Sequence, residues 1–369
     1  MLQRNVILPL NTISGIISQH FRGAIMEVGY VYDPIYLKHD TGEHVENAGR
    51  LEAIISRLEE TGLKQQLTPI KPRIASVEEL ALVHQKQHIS HIQDVAKKGG
   101  GWLDADTVMS PDSYQVALYA AGGAIVATEA VMDGKVNSAF ALVRPPGHHA
   151  TPRRAMGFCL FNNIAVAAEH ALTRYKLERI LIIDFDVHHG NGTQEIFYDR
   201  PEVMYVSTHE YPFYPGTGGV EETGRGLAKG TTINIPLPAG CGDNEYLLAF
   251  EQIIIPAARR FEPQLILVSA GYDAHWADGI ALMQVSVSGF AQMVRIITGL
   301  ANELCDGRLV FSLEGGYHLS ALAASVKATF DILLGNTSID DPLGQSPRSA
   351  TAPKIDRLIM AIKEAHALP

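Results

Sequence analysis

Three stretches of this chain, RILIIDFDV (179–187), QLILVSAGYD (264–273) and RLVFSLEGGY (308–317), run from unbroken apolar residues straight into glycine and ionisable groups. A strand that is apolar on both faces must be covered on both faces, which demands a parallel sheet between helical layers. Further strands are expected in MEVGYVYD, NSAFALVRPPG, VMYVSTH and TTINIPL. Between them lie segments with apolar residues at helical spacing: NAGRLEAIISRLEETGL, SVEELALVHQKQHISHIQDVAKKG, SYQVALYAAGGAIVATEAVMDG, NNIAVAAEHALTRYK, NEYLLAFEQIIIPAARRF and SVSGFAQMVRIITGLANEL. The alternation spans about Glu27 to Gly335, and no repeat of fixed period interrupts it.

Within 369 residues this reads as an arm (1–25), one domain (26–338), and a Ser/Pro/Gly-rich linker with a terminal helix (339–369). The net charge of -10 leaves no basic stripe for phosphates, so no nucleic-acid partner is expected. No apolar run is read as reaching the roughly 18 residues that cross a bilayer, so no membrane partner is expected. Cys159, Cys241 and Cys305 are odd in number and far apart. With no signal-peptide organisation, they place the chain in a reducing compartment, the cytoplasm. Ile13, Ile16, Ile17 and Phe21 in the arm are candidates for a subunit contact, and hence for a homo-oligomer.

In parallel α/β sheets ligands collect at the carboxyl ends of strands. Here those ends read RPPGHHA (144–150), DFDVHHGNG (184–192), SAGYDAH (269–275) and LEGGY (313–317). In extended backbone Asp184, Asp186 and His188 point to one side. Asp186 and His188 suit two ligands of one metal, with Asp273 as the third, in the open manner of a catalytic zinc site. Asp184, one step deeper, is placed to orient a histidine ring. His189 faces the other way and is not expected to be a ligand. The bland reading of DxDxH is a hydrogen-bonded strand end, and of GGY a turn. The tandem His148-His149 and the other polar strand ends favour a site.

Taken together and in this order, RPPGHHA, MGFCLFNN, DFDVHHGNGTQ, SAGYDAH and LEGGY resemble the zinc-dependent histone deacetylase and acetylpolyamine amidohydrolase superfamily over about residues 26 to 335. The details are most similar to bacterial relatives of the class II enzymes. The resemblance implies an arginase-like fold: a single α/β domain with a central eight-stranded parallel sheet flanked by helices. It implies a hydrolase that removes acetyl or other acyl groups from lysine side chains. Asp186, His188 and Asp273 would bind one zinc ion, with His148 and His149 as the tandem histidines and Tyr317 as the phenol on the carbonyl. His149 would take a proton from the attacking water and return it to the leaving amine, while His148, bonded to Asp184, stays cationic. Gly157 and Phe158 would line one tunnel wall, with Tyr214 where an opposing phenylalanine is usual. Ile280 would stand as gatekeeper, after Gly279 where proline is usual, and Asp106 would grip the substrate backbone at the rim. Structural potassium is implied at Asp184, Asp186, His188, Ser207 and Thr208.

The expected partner is an acyl-lysine peptide or protein, with a small acylated amine such as an acetylpolyamine as the alternative. Ile280 in place of a mouth glutamate favours the lysine substrate. A binuclear manganese ureohydrolase would need DxD where Asp273 is followed by Ala274 and His275. An inactive acyl-lysine-binding scaffold would typically have lost the tyrosine or a ligand. Asn191 stands where class I enzymes carry a second aspartate, so His149 should be the less basic of the pair, and Asn191→Asp should shift the acidic limb of the pH–rate profile. His84, His88 and His91 in VHQKQHISH are read as a solvated or half-buried helix face. GTGGVEETGRG opens no helix and is not read as a nucleotide cradle.

Overall fold

The computed structural model describes residues 27–347 and 352–369. The arm, with its proposed subunit contact, lies outside the described residues. Among the described residues ten strands form in chain order: β1 Val28–Val31, β2 Thr68–Ile70, β3 Gly101–Trp102, β4 Val108–Met109, β5 Ser138–Ala141, β6 Ile180–Asp184, β7 Val203–Glu210, β8 Thr232–Leu237, β9 Leu265–Ala270 and β10 Leu309–Leu313. Eight of them make one sheet in the order β2-β1-β5-β10-β9-β6-β7-β8, and every neighbouring pair is parallel. Strands β3 and β4 form a separate antiparallel hairpin. Each residue of β6, β9 and β10 is buried, so both faces of the central sheet are covered, as their unbroken apolar sequences require.

The helices pack in two groups. Ser113–Met132 lies on β1, β5 and β10 and against Asn163–Tyr175. Val287–Leu304 and Leu319–Leu333 pack together, the latter also against Gly49–Glu60. Ser113–Met132 corrects one expectation, because this 20-residue helix, with a mean hydropathy of 1.3 over an 18-residue window, is long and apolar enough to cross a bilayer. Here its cover is protein: 67% of that apolar window is buried, and Gly122 meets the backbone of Arg73 where a Cβ has no room.

Ladder register aligns the strand ends that carry polar residues. Asp184 at the end of β6 pairs with Ser207 of β7 and Ser269 of β9, and Leu313 of β10 pairs with Ala270 of β9. The loops that leave β5, β10, β9, β6 and β7 therefore open on the same edge of the sheet. The segment read as a linker is tied to the domain: Asp341 accepts from the Ser288 amide and hydroxyl, and Gly344 O accepts from Trp276 Nε1. The terminal helix Asp356–His366 buries Ile359 and Ile362 and packs on β8.

Candidate metal and catalytic site

Beyond β6 the chain bends at residues 186–188, the Asp184 and Asp186 carboxylates accepting from the amides two residues on; Phe185 and Val187 enter the core while Asp184, Asp186 and His188 turn towards the site. Asp186 Oδ1 accepts from His188 N (2.9 Å) and lies 3.0 Å from His188 Nδ1, and its Oδ2 accepts from Gly315 N (2.8 Å). Asp273, from the loop after β9, accepts from Val187 N through Oδ1 (3.0 Å). Its Oδ2 lies 3.2 Å from His188 Nδ1 but outside hydrogen-bond geometry, which leaves a buried carboxylate oxygen with no donor. One ligand atom from each of Asp186, His188 and Asp273 lies within 4.8 Å of the others.

The charge around these three groups calls for a cation. Burial, and then the neighbouring Asp186, push the Asp273 carboxyl up to about 6. Burial opposes a charge on His188 as well, yet the two carboxylates outweigh it and lift its imidazole to about 10. An orphaned anionic oxygen beside a second carboxylate and an imidazole nitrogen fits an oxygen- and nitrogen-ligated divalent ion. Gly315 keeps the place open, since a Cβ there would collide with both Asp186 and Asp273.

The tandem histidines differ in their partners. His148 Nδ1 lies 3.0 Å from Asp184 Oδ2, which also accepts from Tyr205 Oη (3.0 Å). Burial disfavours the His148 cation, but Asp184 and Asp186 overcome it and raise the ring to about 10. His149 Nδ1 lies 2.8 Å from Asn191 Oδ1, while Asn191 Nδ2 points at Met156 Sδ (3.4 Å). An amide oxygen only accepts, so His149 carries its proton on Nδ1 and leaves Nε2 free. Burial, then the His148 and His188 cations, hold His149 well below its ordinary value. One ring is thus cationic and the other neutral, 4.0 Å apart between centroids.

A cavity of about 180 Å³ leads to this pair. It is smaller than the roughly 300–1,000 Å³ of pockets for drug-sized ligands, a size for one extended side chain. Of the residues singled out from sequence, Asp106, His148, His149, Gly157, Phe158, His188, Tyr214, Ile280 and Tyr317 line it, and Asp184, Asp186, Asn191 and Asp273 stand behind them. Gly157 and Phe158 form a tight turn with φ of 55° and 69°, closed by hydrogen bonds between Met156 and Cys159. A side-chain-bearing residue held left-handed costs about 1–2 kcal/mol, which is spent here on aiming the Phe158 ring at the cavity. Phe158 meets Tyr317 edge-on at 5.9 Å, and Tyr214 meets His149 edge-on at 5.0 Å.

Among the residues singled out from sequence, His189 turns away, bonded to Thr217 Oγ1 and Gln194 Oε1. Ser207 Oγ bonds His209 Nδ1, and Thr208 Oγ1 is buried without a partner. GTGGVEETGRG leads into a single 3-10 turn, Gly226–Ala228, and no α-helix.

Sequence reasoning missed Phe213, Glu314 and Arg50. Phe213 stacks on His188 at 5.4 Å and lines the cavity beside Tyr214. Glu314 accepts from Gly147 N (2.6 Å), His148 N (3.1 Å) and Ser269 Oγ (3.0 Å), holding the RPPGHH turn, and burial pushes its carboxyl to about 7. Arg50, fully buried, donates to Gly316 O, Glu314 O and Glu46 and lies 4.9 Å from the centre of the Tyr317 ring. Its signal was present: Arg50, Ile54 and Leu58 share one helical face, and a guanidinium on an apolar face needs a buried partner.

A family model for the histone deacetylase domain matches residues 44–333. The chain belongs to this family. Histone deacetylase 14 of Arabidopsis thaliana, a chloroplastic protein, is 42% identical over 320 residues, covering 82% of this chain and 76% of that protein. A probable deacetylase of Archaeoglobus fulgidus is 43% identical over 295 residues, 79% of this chain and 82% of the other. A histone deacetylase-like amidohydrolase of Pseudomonas aeruginosa is 39% identical over 317 residues, with 85% and 82% covered. Among solved structures, the HD domain of HDA15 superposes with a TM-score of 0.84 at 34% identity, over 93% of this chain and 95% of that one.

The histidines of VHQKQHISH need correction. His84 precedes the helix Lys86–Lys97, so the three do not share a helical face, and only His91 is exposed. His84 Nε2 accepts from Asn162 N (2.9 Å), which places its proton on Nδ1, facing Thr151 O (2.9 Å). His88 Nε2 lies 2.9 Å from Leu160 O. Together they close the neck of the loop that carries the Gly157–Phe158 turn. Burial holds His84 neutral, at about 3. His84→Ala leaves a buried N–H and C=O unpaired and is expected to cost about 2–4 kcal/mol. Urea unfolding checks this, with bound metal per folded molecule unchanged.

Proposed function

We propose that this protein is a zinc-dependent deacetylase that hydrolyses the acyl-amide of acyl-lysine side chains in peptides or proteins, releasing acetate from acetyl-lysine. The observation that carries the reading is a tunnel for one side chain that ends on a neutral and a cationic histidine, a tyrosine, and an Asp-His-Asp group with an orphaned oxygen. One zinc ion held by Asp186, His188 and Asp273 would supply Lewis acidity and lower the pKa of water.

The chain's own groups divide the proton work. His149 Nε2 takes a proton from the attacking water and delivers it to the leaving amine, a role worth about 10²–10⁴-fold. His148 keeps its proton and stabilises negative charge developing at the carbonyl. The Tyr317 hydroxyl donates to the carbonyl oxygen as it becomes an oxyanion, a contribution of about 10²–10³-fold. Phe158 faces Tyr214 and Phe213 across the alkyl chain, and Asp106 accepts from the substrate backbone at the rim. Ile280 gives the mouth an apolar wall, which favours lysine over a polyamine with a second ammonium. A binuclear centre is disfavoured, since Ala274 follows Asp273 and His275 turns onto Trp276, 5.5 Å between ring centres.

Kinetics on an acetyl-lysine peptide and on acetylspermidine, with metal counting on the same preparation, test the reading. The expected result is faster turnover of the peptide at one zinc per chain. A zinc-loaded preparation that hydrolyses neither would overturn it. We also propose a structural potassium ion at Asp184, Asp186, His188, Ser207 and Thr208, supported by the pairing of Asp184 with Ser207. Exchanging potassium for choline should then lower the Tm; an unmoved Tm counts against the ion.

The pH dependence carries a sign. The acidic limb of kcat/KM reports protonation of His149, which burial and neighbouring cations hold low. Asn191→Asp adds a negative partner that favours the cation, so the limb should move to higher pH by about one unit or more. A pH–rate profile that does not move would refute the assignment of His149 as the base.

A further inference from the structure

Two irregular loops face the tunnel from the C-terminal side of the sheet. Glu314–His318 carries Tyr317 and Ala277–Leu282 carries Ile280, and both residues line the cavity. Neither loop belongs to a strand or helix; backbone pairing with the segment after β9 reaches only Glu314 and Gly315, and the N–H groups beyond need other acceptors.

Glu314 N donates to Ala270 O and Leu282 N to Glu210 Oε2, and one carboxylate serves the two cavity-lining residues. Asp278 Oδ2 accepts from Tyr317 N at 2.6 Å and from His318 N at 2.9 Å, and Asp278 Oδ1 accepts from Ile280 N at 3.3 Å. The Asp278 amide is itself anchored on His275 O (2.8 Å). Asp278 is 5% exposed and does not line the cavity, so its contacts with the site run through other residues. The opposite side of the tyrosine loop is held by Asp186, through Gly315 N at 2.8 Å, and by Arg50, through Gly316 O at 2.6 Å. Tyr317 is therefore suspended between a metal-site carboxylate and Asp278.

We propose that Asp278 is a positioning residue, setting the Tyr317 hydroxyl against the scissile carbonyl and tying that placement to the gatekeeper Ile280. The inference rests on the deacetylase reading above. The chemistry favours a carboxylate at this place. Its two oxygens accept three N–H donors at once, and it sits at the N-terminus of the helix Leu319–Leu333, where the helix dipole favours an anion. Asparagine has the same shape but one accepting oxygen, and its NH2 would confront backbone N–H. Asp278→Asn thus strands either Ile280 N–H or the Tyr317–His318 pair, and the tyrosine loop shifts.

The test is a double-mutant cycle with Tyr317→Phe, measuring kcat, KM, bound zinc and thermal midpoint on an acetyl-lysine peptide. A shift of about 1 Å costs roughly a hundredfold, so Asp278→Asn should lower kcat by about 10–100-fold in the parent. KM and zinc content should stay within about threefold, and in the Tyr317→Phe background the further loss of kcat should be under about threefold. An equal loss in both backgrounds overturns the proposal, as does zinc lost in step with activity. Should Asp278→Asn fail to fold, Asp278→Glu, which keeps the charge one methylene further out, takes its place in the cycle, and the same two results overturn the proposal. Parent turnover in the same series separates the two readings. An inactive parent overturns the deacetylase assignment, whereas an active parent with unaltered kcat in Asp278→Asn overturns only the role of Asp278.

Discussion

Four carboxylates, Asp184, Asp186, Asp273 and Glu314, stand at the ends of neighbouring strands with no more than 1% of their surface exposed. Buried anions on this scale are tolerated only when paired, and breaking such a pair costs about 3–5 kcal/mol. Much of the surrounding structure supplies their partners: the imidazoliums of His148 and His188, the hydroxyls of Tyr205 and Ser269, and the amides of Gly147, Gly315 and Val187. The sheet makes the crowding geometrically simple, because parallel neighbours run about 4.8 Å apart and end on one edge. What remains uncompensated is Asp273 Oδ2, at the place where the metal is proposed to bind.

The same constraint separates two histidines that are adjacent in sequence. A charged partner, Asp184, keeps His148 protonated, while a neutral partner, Asn191, leaves His149 without support for a second cation beside the first. Each ring raises the contrast, since the cation on His148 further depresses His149. A base and a fixed positive charge are thereby built from identical side chains.

Strand alternation carried most of what could be read at the site. Unbroken apolar runs announced a covered parallel sheet, and the two-residue period of DFDVHH was enough to separate His188 from His189. Strand order was beyond reach, because it depends on long-range pairing. Glu314, Arg50 and Asp278 went unnoticed for a related reason: each acts through backbone groups of loops far away in sequence, as when Arg50 reaches Gly316. The reading of VHQKQHISH failed because helical spacing was assumed across residues 81–85, where the chain leaves one helix before starting the next. Burial of His84 and His88 answers to the loop at 151–162, which no local pattern reveals.

The apolar helix Ser113–Met132 has a consequence for how the molecule must be made. One of the strands it rests on, Leu309–Leu313, lies about 180 residues further along the chain. At about 5–20 residues per second, synthesis leaves the helix without that strand for roughly 10–40 s. During this interval a segment with the length and hydropathy of a membrane span is sheltered by β1, β2, β5, the turn Pro34–Lys38 and the helices Lys86–Lys97 and Asn163–Tyr175, but not by β10. Early docking of Asn163–Tyr175 therefore matters for the yield of folded chains as well as for the final fold.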